Sequence, residues 1–339
     1  MRKPDPRLQA APPSSMTMTP YGTLHPEARR AFKAYDVRGV MGEELTESLA
    51  YAIGHTYAAE VSPSVVAVGR DIRLSGEELT RSLIHGLNDA GVSVLDLGIV
   101  PTGAIYYATH ALEVDGGIMV TASHNPPEYN GFKFCRGTAA MAGEEIQALA
   151  DHIHTPHESV PVTGLTTRVE IESMLIEAIV QSAGKPQRPV HLVIDAANAV
   201  PGPLLQRLMD ELGVNHVDLN CSWDPTFPNH PPDPTRPQNM VDLGRAVVEA
   251  GAEVGIGVDG DGDRLGIVDE LGRFVTPDRL LAIFAQDVLE QASEPDLPII
   301  YDVKCSMTLE QTIRAFGGVP IMMRTGHSFL KQALRESPS

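Results

Sequence analysis

Two short stretches carry residue types that could do chemistry. In GVDGDGDRLGIVDE, residues 257–270, Asp259, Asp261 and Asp263 stand at alternate positions with glycines between them. On an extended strand Asp259 and Asp263 would lie about 13 Å apart, four residues at about 3.3 Å each, too far to share an ion. Gly260 and Gly262 let the chain curl until the three carboxylates converge. Three hard oxygen donors suit Mg²⁺, with positions left over for water or a phosphate oxygen. The spacing also admits a calcium loop, with Asp259, Asp261, Asp263 and Glu270 at positions 1, 3, 5 and 12 of an EF-hand. Against calcium, Arg264 occupies position 6, where that loop needs glycine, and both flanks, EVGIGV and LGIVDE, read as strands. A solvated acidic turn is the third reading.

The second stretch, TASHNPPEYNGFK (121–133), offers Ser123 as a nucleophile. His124 is adjacent, but neighbours on an extended segment point to opposite faces, which makes it a poor direct base for Ser123. Asn125, Pro126 and Pro127 turn the chain straight after the serine, and Asn130 and Gly131 turn it again before Lys133. The hydroxyl is thereby presented at a rigid corner. No GxSxG elbow is present, which counts against an esterase. Taken alone, a serine here serves its turn and nothing more.

A repeat must position both loops. Three stretches share one plan, an apolar run ending in an acid, a loop, an amphipathic segment, a glycine and a second apolar run: SVVAVGRDIRLSGEELTRSLIHGLNDAGVSVLDLG, PVHLVIDAANAVPGPLLQRLMDELGVNHVDLN and LPIIYDVKCSMTLEQTIRAFGGVPIMMRTGH. The acids are Asp71, Asp195 and Asp302, and the glycines Gly91, Gly213 and Gly318. Short β-branched runs around segments such as Leu79, Leu83, Ile84 and Leu87, at helical spacing, predict strand, helix, strand in each copy. The expectation is an α/β protein of tandem similar α/β/α layered domains with mixed sheets, two complete and a third partial. Boundaries are expected at 1–30 (a Pro/Ser/Thr-rich disordered tail), 31–168 (serine loop), 169–273 (acidic loop) and 274–339. Copies one and two each continue into a strand, a polar loop and a returning strand; copy three reaches SFLKQALRESPS without them. Its exposed sheet edge and apolar helix faces predict low stability or self-association.

Composition excludes several classes of function. The 339 residues carry 44 acids against 26 bases, a formal net charge of -18, which repels nucleic acid and anionic membrane. No run approaches the roughly 20 apolar residues of a membrane span, and the N-terminus lacks the apolar stretch of a signal peptide. Cys135, Cys221 and Cys305 form no CxxC pair, which fits free thiols in a reducing cytoplasm.

With both loops in hand, the chain resembles the α-D-phosphohexomutases, most closely their bacterial phosphomannomutase/phosphoglucomutase branch. The segments that carry the resemblance are AYDVRGV (34–40), GRDIRLSG (69–76), TASHNPPEYNGFK, FPNHPPDP (227–234), DGDGDR (259–264), DVKC (302–305) and RTGHSFLK (324–331). The resemblance implies that Ser123 carries a phosphoryl group and that Asp259, Asp261, Asp263 and a phosphoserine oxygen hold Mg²⁺. Three carboxylates and one divalent cation leave a charge of -1, and phosphoserine adds about -1.5 to -2, so nearby cations must balance it. Arg38, Lys133 and Arg264 are the expected ones. The implied reaction moves phosphate between O1 and O6 of a phosphorylated hexose, with a hexose 1,6-bisphosphate as activator. Lys133 and His327 would do acid and base work, Lys304 and His327 would contact the sugar, and Tyr35 would support the phosphoserine.

Family members follow the counterpart of RTGHSFLK with a sugar-reading loop of GEMSGH type and a fourth domain whose arginine-rich loop grips the substrate's other phosphate. Neither sequence occurs here. Two further readings therefore stand beside the mutase: a phosphosugar- and Mg²⁺-binding chain with at most phosphatase-like activity, and a calcium-binding protein. DAANAV (195–200), where the family usually has glycines, is expected to be tolerated. Mannose or glucose preference and oligomeric state have no signal in the sequence.

Overall fold

The computed structural model describes residues 26–153 and 163–326, with 330, 333 and 334. The expected tail therefore lies outside the described residues as far as 25. From there the chain runs as α1 (Pro26–Arg29), with Ala28 buried, β1 (Val37–Val40), α2 (Glu47–Val61), β2 (Val65–Arg70), α3 (Gly76–Asp89) and β3 (Ser93–Ile99). It continues through α4 (Thr102–Ala111), β4 (Gly116–Val120), β5 (Tyr129–Arg136), β6 (Ala139–Ala140), α5 (Glu144–His152), β7 (Thr166–Arg168) and α6 (Glu172–Ala183). The second half comprises β8 (His191–Asp195), α7 (Gly202–Leu212), β9 (Asn215–Leu219), α8 (Val241–Ala250), β10 (Val254–Val258), β11 (Leu265–Asp269) and β12 (Phe274–Val275). Last come α9 (Pro277–Gln291), β13 (Pro298–Asp302), α10 (Met307–Ala315) and β14 (Val319–Met323). Two compact units result: the chain up to Ala178 together with Asp224–Phe227, and Ile179–Trp223 together with the chain from Pro228 onward.

In the first unit the strands lie in the order β1-β5-β4-β2-β3-β7, with β6 beside β5. β2 runs parallel to β3 and β4, whereas β5 runs antiparallel to β4 and β1, so the sheet is mixed. Val66, Val68, Ile118 and Phe132 face α2 and α3, whose Leu49, Ile53, Leu79, Leu83 and Leu87 are fully buried. On the opposite face Gly117 lies under Ile105 and Thr109 of α4. Three layers follow from alternation along the strands and four-residue spacing along the helices.

The second unit repeats the plan, with strand order β12-β11-β10-β8-β9. β8 is parallel to β9 and β10, and β10 and β11 form an antiparallel hairpin that pairs Val254 with Asp269 and Val258 with Leu265. Those strands take the places where an EF-hand has helices, so the calcium reading loses its scaffold. The third copy supplies a parallel pair, β13 and β14, with α9 and α10 packed through Ala285, Leu289, Leu309 and Ile313. Ile283, Phe284, Val303, Met307 and Met322 remain exposed there. The three strand-helix-strand units of the repeat are thus β2-α3-β3, β8-α7-β9 and β13-α10-β14. The positive φ after the helix falls on Gly91, Gly213 and Gly317, and Gly318 directly precedes β14 as expected. All three cysteines are free thiols, and among the described residues no helix is long and apolar enough to cross a membrane.

One local device recurs at the end of the first strand of each copy. Asp71 Oδ1 accepts the Arg73 N–H at 2.9 Å, Asp195 Oδ1 the Ala197 N–H at 2.9 Å, and Asp302 Oδ1 the Lys304 N–H at 2.8 Å. Each aspartate closes a turn on the residue two positions on. In the second copy this turn puts Ala197 at φ 49° and Asn198 at φ 59°. Asparagine tolerates that region, and alanine is strained in it by about 1 kcal/mol. Replacing Ala197 by glycine relieves that strain but gives up a buried methyl and adds freedom to the unfolded chain, each about 0.5–1 kcal/mol, so the melting midpoint should stay within about 2 °C of the native one in a calorimetric scan.

Candidate active site

The serine loop is built from the ends of β2 and β4. Asp71 N–H donates to the Val120 carbonyl at 3.0 Å, which aligns the two strand ends. Thr121 Oγ1 donates to Asp71 Oδ2 at 2.7 Å and accepts the Ser123 N–H at 2.9 Å. Ser123 is buried at φ 51°, so its backbone sits in a region that serine rarely occupies. That conformation overturns the expectation drawn from an extended segment. It swings the two neighbours together and brings Ser123 Oγ to 3.3 Å from His124 Nδ1.

Arg73 was not singled out from the sequence, where it looks like any loop arginine in GRDIRLSG. Its side chain is 0% exposed. It donates from Nε to Asp71 Oδ2 at 3.1 Å, from Nη2 to the carbonyls of Ser123 at 2.9 Å and Asn125 at 2.7 Å, and from Nη1 to those of Tyr129 at 3.0 Å and Pro126. All five guanidinium N–H donors are thereby used. The only sequence signal was the acid-x-arginine spacing, which occurs widely on surfaces.

Arg38 and Lys133 belong to neighbouring strands of the same sheet. Arg38 on β1 lies opposite Gly131 on β5, and Lys133 is two residues further along, so the two cations share one face while Val37, Phe132 and Phe134 fill the core on the other. A Cβ at Gly131 would meet the Val37 carbonyl at 2.1 Å, so only glycine lets these strands close. Arg38 Nη1 donates to Asn125 Oδ1 at 2.8 Å, and Nη2 pairs with Asp36. Tyr35 is half-buried in the bend before β1.

In the second unit, the acidic loop closes the hairpin of β10 and β11. Oxygens of Asp259, Asp261 and Asp263 all lie within 4.8 Å of one another. Two ligands opposite each other across Mg²⁺ would stand about 4.2 Å apart, twice a bond of about 2.1 Å, so the three oxygens lie within a few tenths of an ångström of what one cation's shell requires. Asp259 is the pivot of the loop: its Oδ1 accepts the N–H groups of Asp263 at 2.9 Å and Arg264 at 3.0 Å. Gly262 takes φ 76° to make the curl. Asp259 and Asp261 are buried, whereas Asp263 and Arg264 are exposed. The three residues could hold a metal ion.

The segment from Asn229 to Asn239 braces this loop. Pro232 O accepts the Gly260 N–H at 3.2 Å, and Pro234 packs where a Cβ on Gly266 would sit. Asp233 is buried and accepts from Thr235 and Arg236. His230 Nε2 meets Asp195 Oδ2 at 2.9 Å, and its Nδ1 meets the Pro231 carbonyl at 2.9 Å. Burial works against a charged His230, but the Asp195 carboxylate, by hydrogen bond and charge, more than offsets this and raises its pKa above the ordinary histidine value. In the third copy Lys304 is exposed in the turn set by Asp302, which also accepts the Thr325 hydroxyl at 3.0 Å. His327 lies outside the described residues.

A chain of tandem α/β/α units with a buried serine corner in one and a three-aspartate hairpin in the next defines a class, and sequence comparison identifies it. "Phosphoglucomutase/phosphomannomutase, alpha/beta/alpha domain I" matches residues 29–159, domain II residues 173–272 and domain III residues 276–338. The chain belongs to the phosphoglucomutase/phosphomannomutase family. It is 42% identical over 309 residues to a phosphomannomutase/phosphoglucomutase of Pseudomonas aeruginosa, covering 90% of this chain and 66% of that protein. A phosphoglucomutase of Neisseria gonorrhoeae is 42% identical over 313 residues, 91% of this chain and 67% of that one. The crystal structure of a phosphoglucomutase/phosphomannomutase family protein from Burkholderia thailandensis superimposes with a TM-score of 0.86 at 44% identity, covering 91% of this chain and 69% of the other. The chain thus spans about two thirds of the length of these relatives.

Two outcomes follow from the geometry. Carboxylates this close repel one another when no cation is bound, so Asp263→Asn should leave the metal-free melting midpoint unchanged or raise it. Added Mg²⁺ at 100 times its dissociation constant should stabilise the native protein by about 2.7 kcal/mol and the variant far less, as read by thermal melts over a metal titration. For His230, a raised folded-state pKa means that its contribution is complete below about pH 6.5 and lost as pH rises through the raised value. The stability gap between the native protein and His230→Gln, from urea melts, should accordingly be larger at pH 6 than at pH 9.

Proposed function

We propose that this chain carries the phosphoserine and cation loops of a phosphohexomutase that interconverts hexose 1-phosphate and hexose 6-phosphate, of glucose, mannose or both. The observation that supports it most is Ser123, held at φ 51° by Thr121 and Arg73, in a chain of a family named for these reactions. Ser123 Oγ is the phosphoryl carrier. In the first half-reaction its O–P bond breaks as phosphorus bonds to the free hydroxyl oxygen of the hexose monophosphate, giving a hexose 1,6-bisphosphate. The hydroxyl proton passes to Lys133, acting with His327, and His124, whose Nδ1 lies 3.3 Å from Ser123 Oγ, would return a proton to that oxygen. The second half-reaction reverses these transfers with the other phosphate.

Asp259, Asp261 and Asp263 would hold Mg²⁺, which when bound draws charge from the transferring phosphoryl group in its loose transition state. Arg38 and Arg264 supply positive charge for phosphate, Lys304 and His327 contact the sugar, and Tyr35 supports the serine corner. A hexose 1,6-bisphosphate primes Ser123.

Incubation with glucose 1,6-bisphosphate and Mg²⁺ should add one phosphate, seen by intact mass, and Ser123→Ala should take none. A coupled assay from glucose 1-phosphate or mannose 1-phosphate should then show isomerisation that Ser123→Ala abolishes. Release of inorganic phosphate in place of the isomer would select the phosphatase-like reading, and an unmodified Ser123 would sink both.

A further inference from the structure

Arg73 spends four of its five N–H donors on the serine corner and the fifth on Asp71, and its guanidinium carbon lies over the ring of a residue from far along the chain. Phe227 lies with its ring centroid 5.3 Å from Arg73 Cζ. It belongs to the four-residue segment Asp224–Phe227 that groups with the first unit, while the residues on either side group with the second. The segment is preformed: Asp224 Oδ1 accepts the Thr226 N–H at 2.9 Å and its hydroxyl at 2.6 Å, and Phe227 N–H donates to Asp224 O at 3.0 Å. Phe227 is 8% exposed and sits at φ 49°, a backbone region that a bulky side chain avoids. Strain of this kind persists only where the surroundings over-determine it, and it gathers at functional sites.

We infer that Arg73 and Phe227 together form the positioning unit of the Ser123 corner, with Arg73 fixing the carbonyls of Ser123, Asn125, Pro126 and Tyr129 and Phe227 holding the guanidinium over its ring. The inference rests on the reading of Ser123 as phosphoryl carrier. Lysine cannot replace Arg73, because three donors on a tetrahedral ammonium cannot serve four carbonyls and a carboxylate. Leucine at 227 would fill the space but present no aromatic face to the cation. Misplacement of a reacting group by about 1 Å is enough to slow a reaction about a hundredfold. The expected signature is a lower limiting rate without loss of substrate affinity.

The test uses the full chain with Phe227→Leu, Phe227→Tyr and Arg73→Lys. Phosphate arrival on Ser123 is followed by intact mass over a series of glucose 1,6-bisphosphate concentrations, alongside amide hydrogen exchange of residues 122–130. Phe227→Leu should lower the limiting rate about tenfold at an unchanged half-saturating concentration and speed exchange in 122–130, and Phe227→Tyr should restore both. Arg73→Lys should slow transfer further; because it disturbs a buried ion pair and can fail to fold, the two Phe227 variants decide. Native limiting rate and native exchange in Phe227→Leu would overturn the inference, as would equal effects of leucine and tyrosine. If native Ser123 takes no phosphate, the proposed function fails, and exchange alone decides the inference: faster exchange in the leucine variant but not the tyrosine one sustains it, and unchanged exchange refutes it.

Discussion

A strand-terminal aspartate that accepts the N–H two residues downstream is the constraint on which the rest of the architecture depends. In each copy it sits where a parallel strand stops, with its backbone already fixed by the sheet, so its carboxylate is a rigid acceptor. The other oxygen sites of that carboxylate then gather neighbouring segments. Asp71 takes the Thr121 hydroxyl and Arg73 Nε, Asp195 takes Asn220 and His230, and Asp302 takes the Thr325 hydroxyl. Asp71 and Asp195 are buried, and a buried anion must be paired and hydrogen-bonded to persist, so their partners are required as well as arranged.

What differs between the first two copies is the cation each aspartate recruits, and that difference sets how firmly each loop is held. Around Asp71 the partner is a fully buried arginine, always charged, whose donors reach past the aspartate to the carbonyls of the serine corner. Around Asp195 it is a half-buried histidine whose neighbour Pro231 leads into Pro232, a direct brace of the acidic loop. An arginine fixes its loop at every accessible pH, whereas a histidine does so only while protonated. The serine corner is accordingly held by the stronger and less conditional of the two arrangements.

Most of the fold was legible because the repeat wrote the same pattern three times. Leu79, Leu83 and Leu87 at helical spacing are fully buried, the runs ending in Asp71, Asp195 and Asp302 are parallel strands, and the flanks of DGDGDR are strands, as they read in the sequence. The carboxylate cluster was legible too, since glycines between acids permit only a turn or a curl. The backbone exceptions were hidden. Nothing in TASHNPP says that Ser123 takes a positive φ, so the pairing of its hydroxyl with His124 was read with the wrong geometry. Arg73 and Phe227 were hidden for another reason: apart from Asp71, the partners named for their side chains lie 50 to 154 residues away, and no local period reports such a contact.

The two loops arise from one scaffold. Each follows a strand parallel to the aspartate-bearing strand, β4 beside β2 and β10 beside β8, and each returns through an antiparallel partner. The scaffold fixes where the loop emerges and leaves its residues free. One loop uses prolines to make a corner that presents a hydroxyl; the other uses glycines to make a curl that gathers carboxylates. A hydroxyl that carries a dianionic phosphoryl group needs cations close by, and three converging carboxylates need one even when empty of substrate. Each loop would be electrostatically incomplete without such cations, the first once it carries a phosphoryl group and the second as it stands.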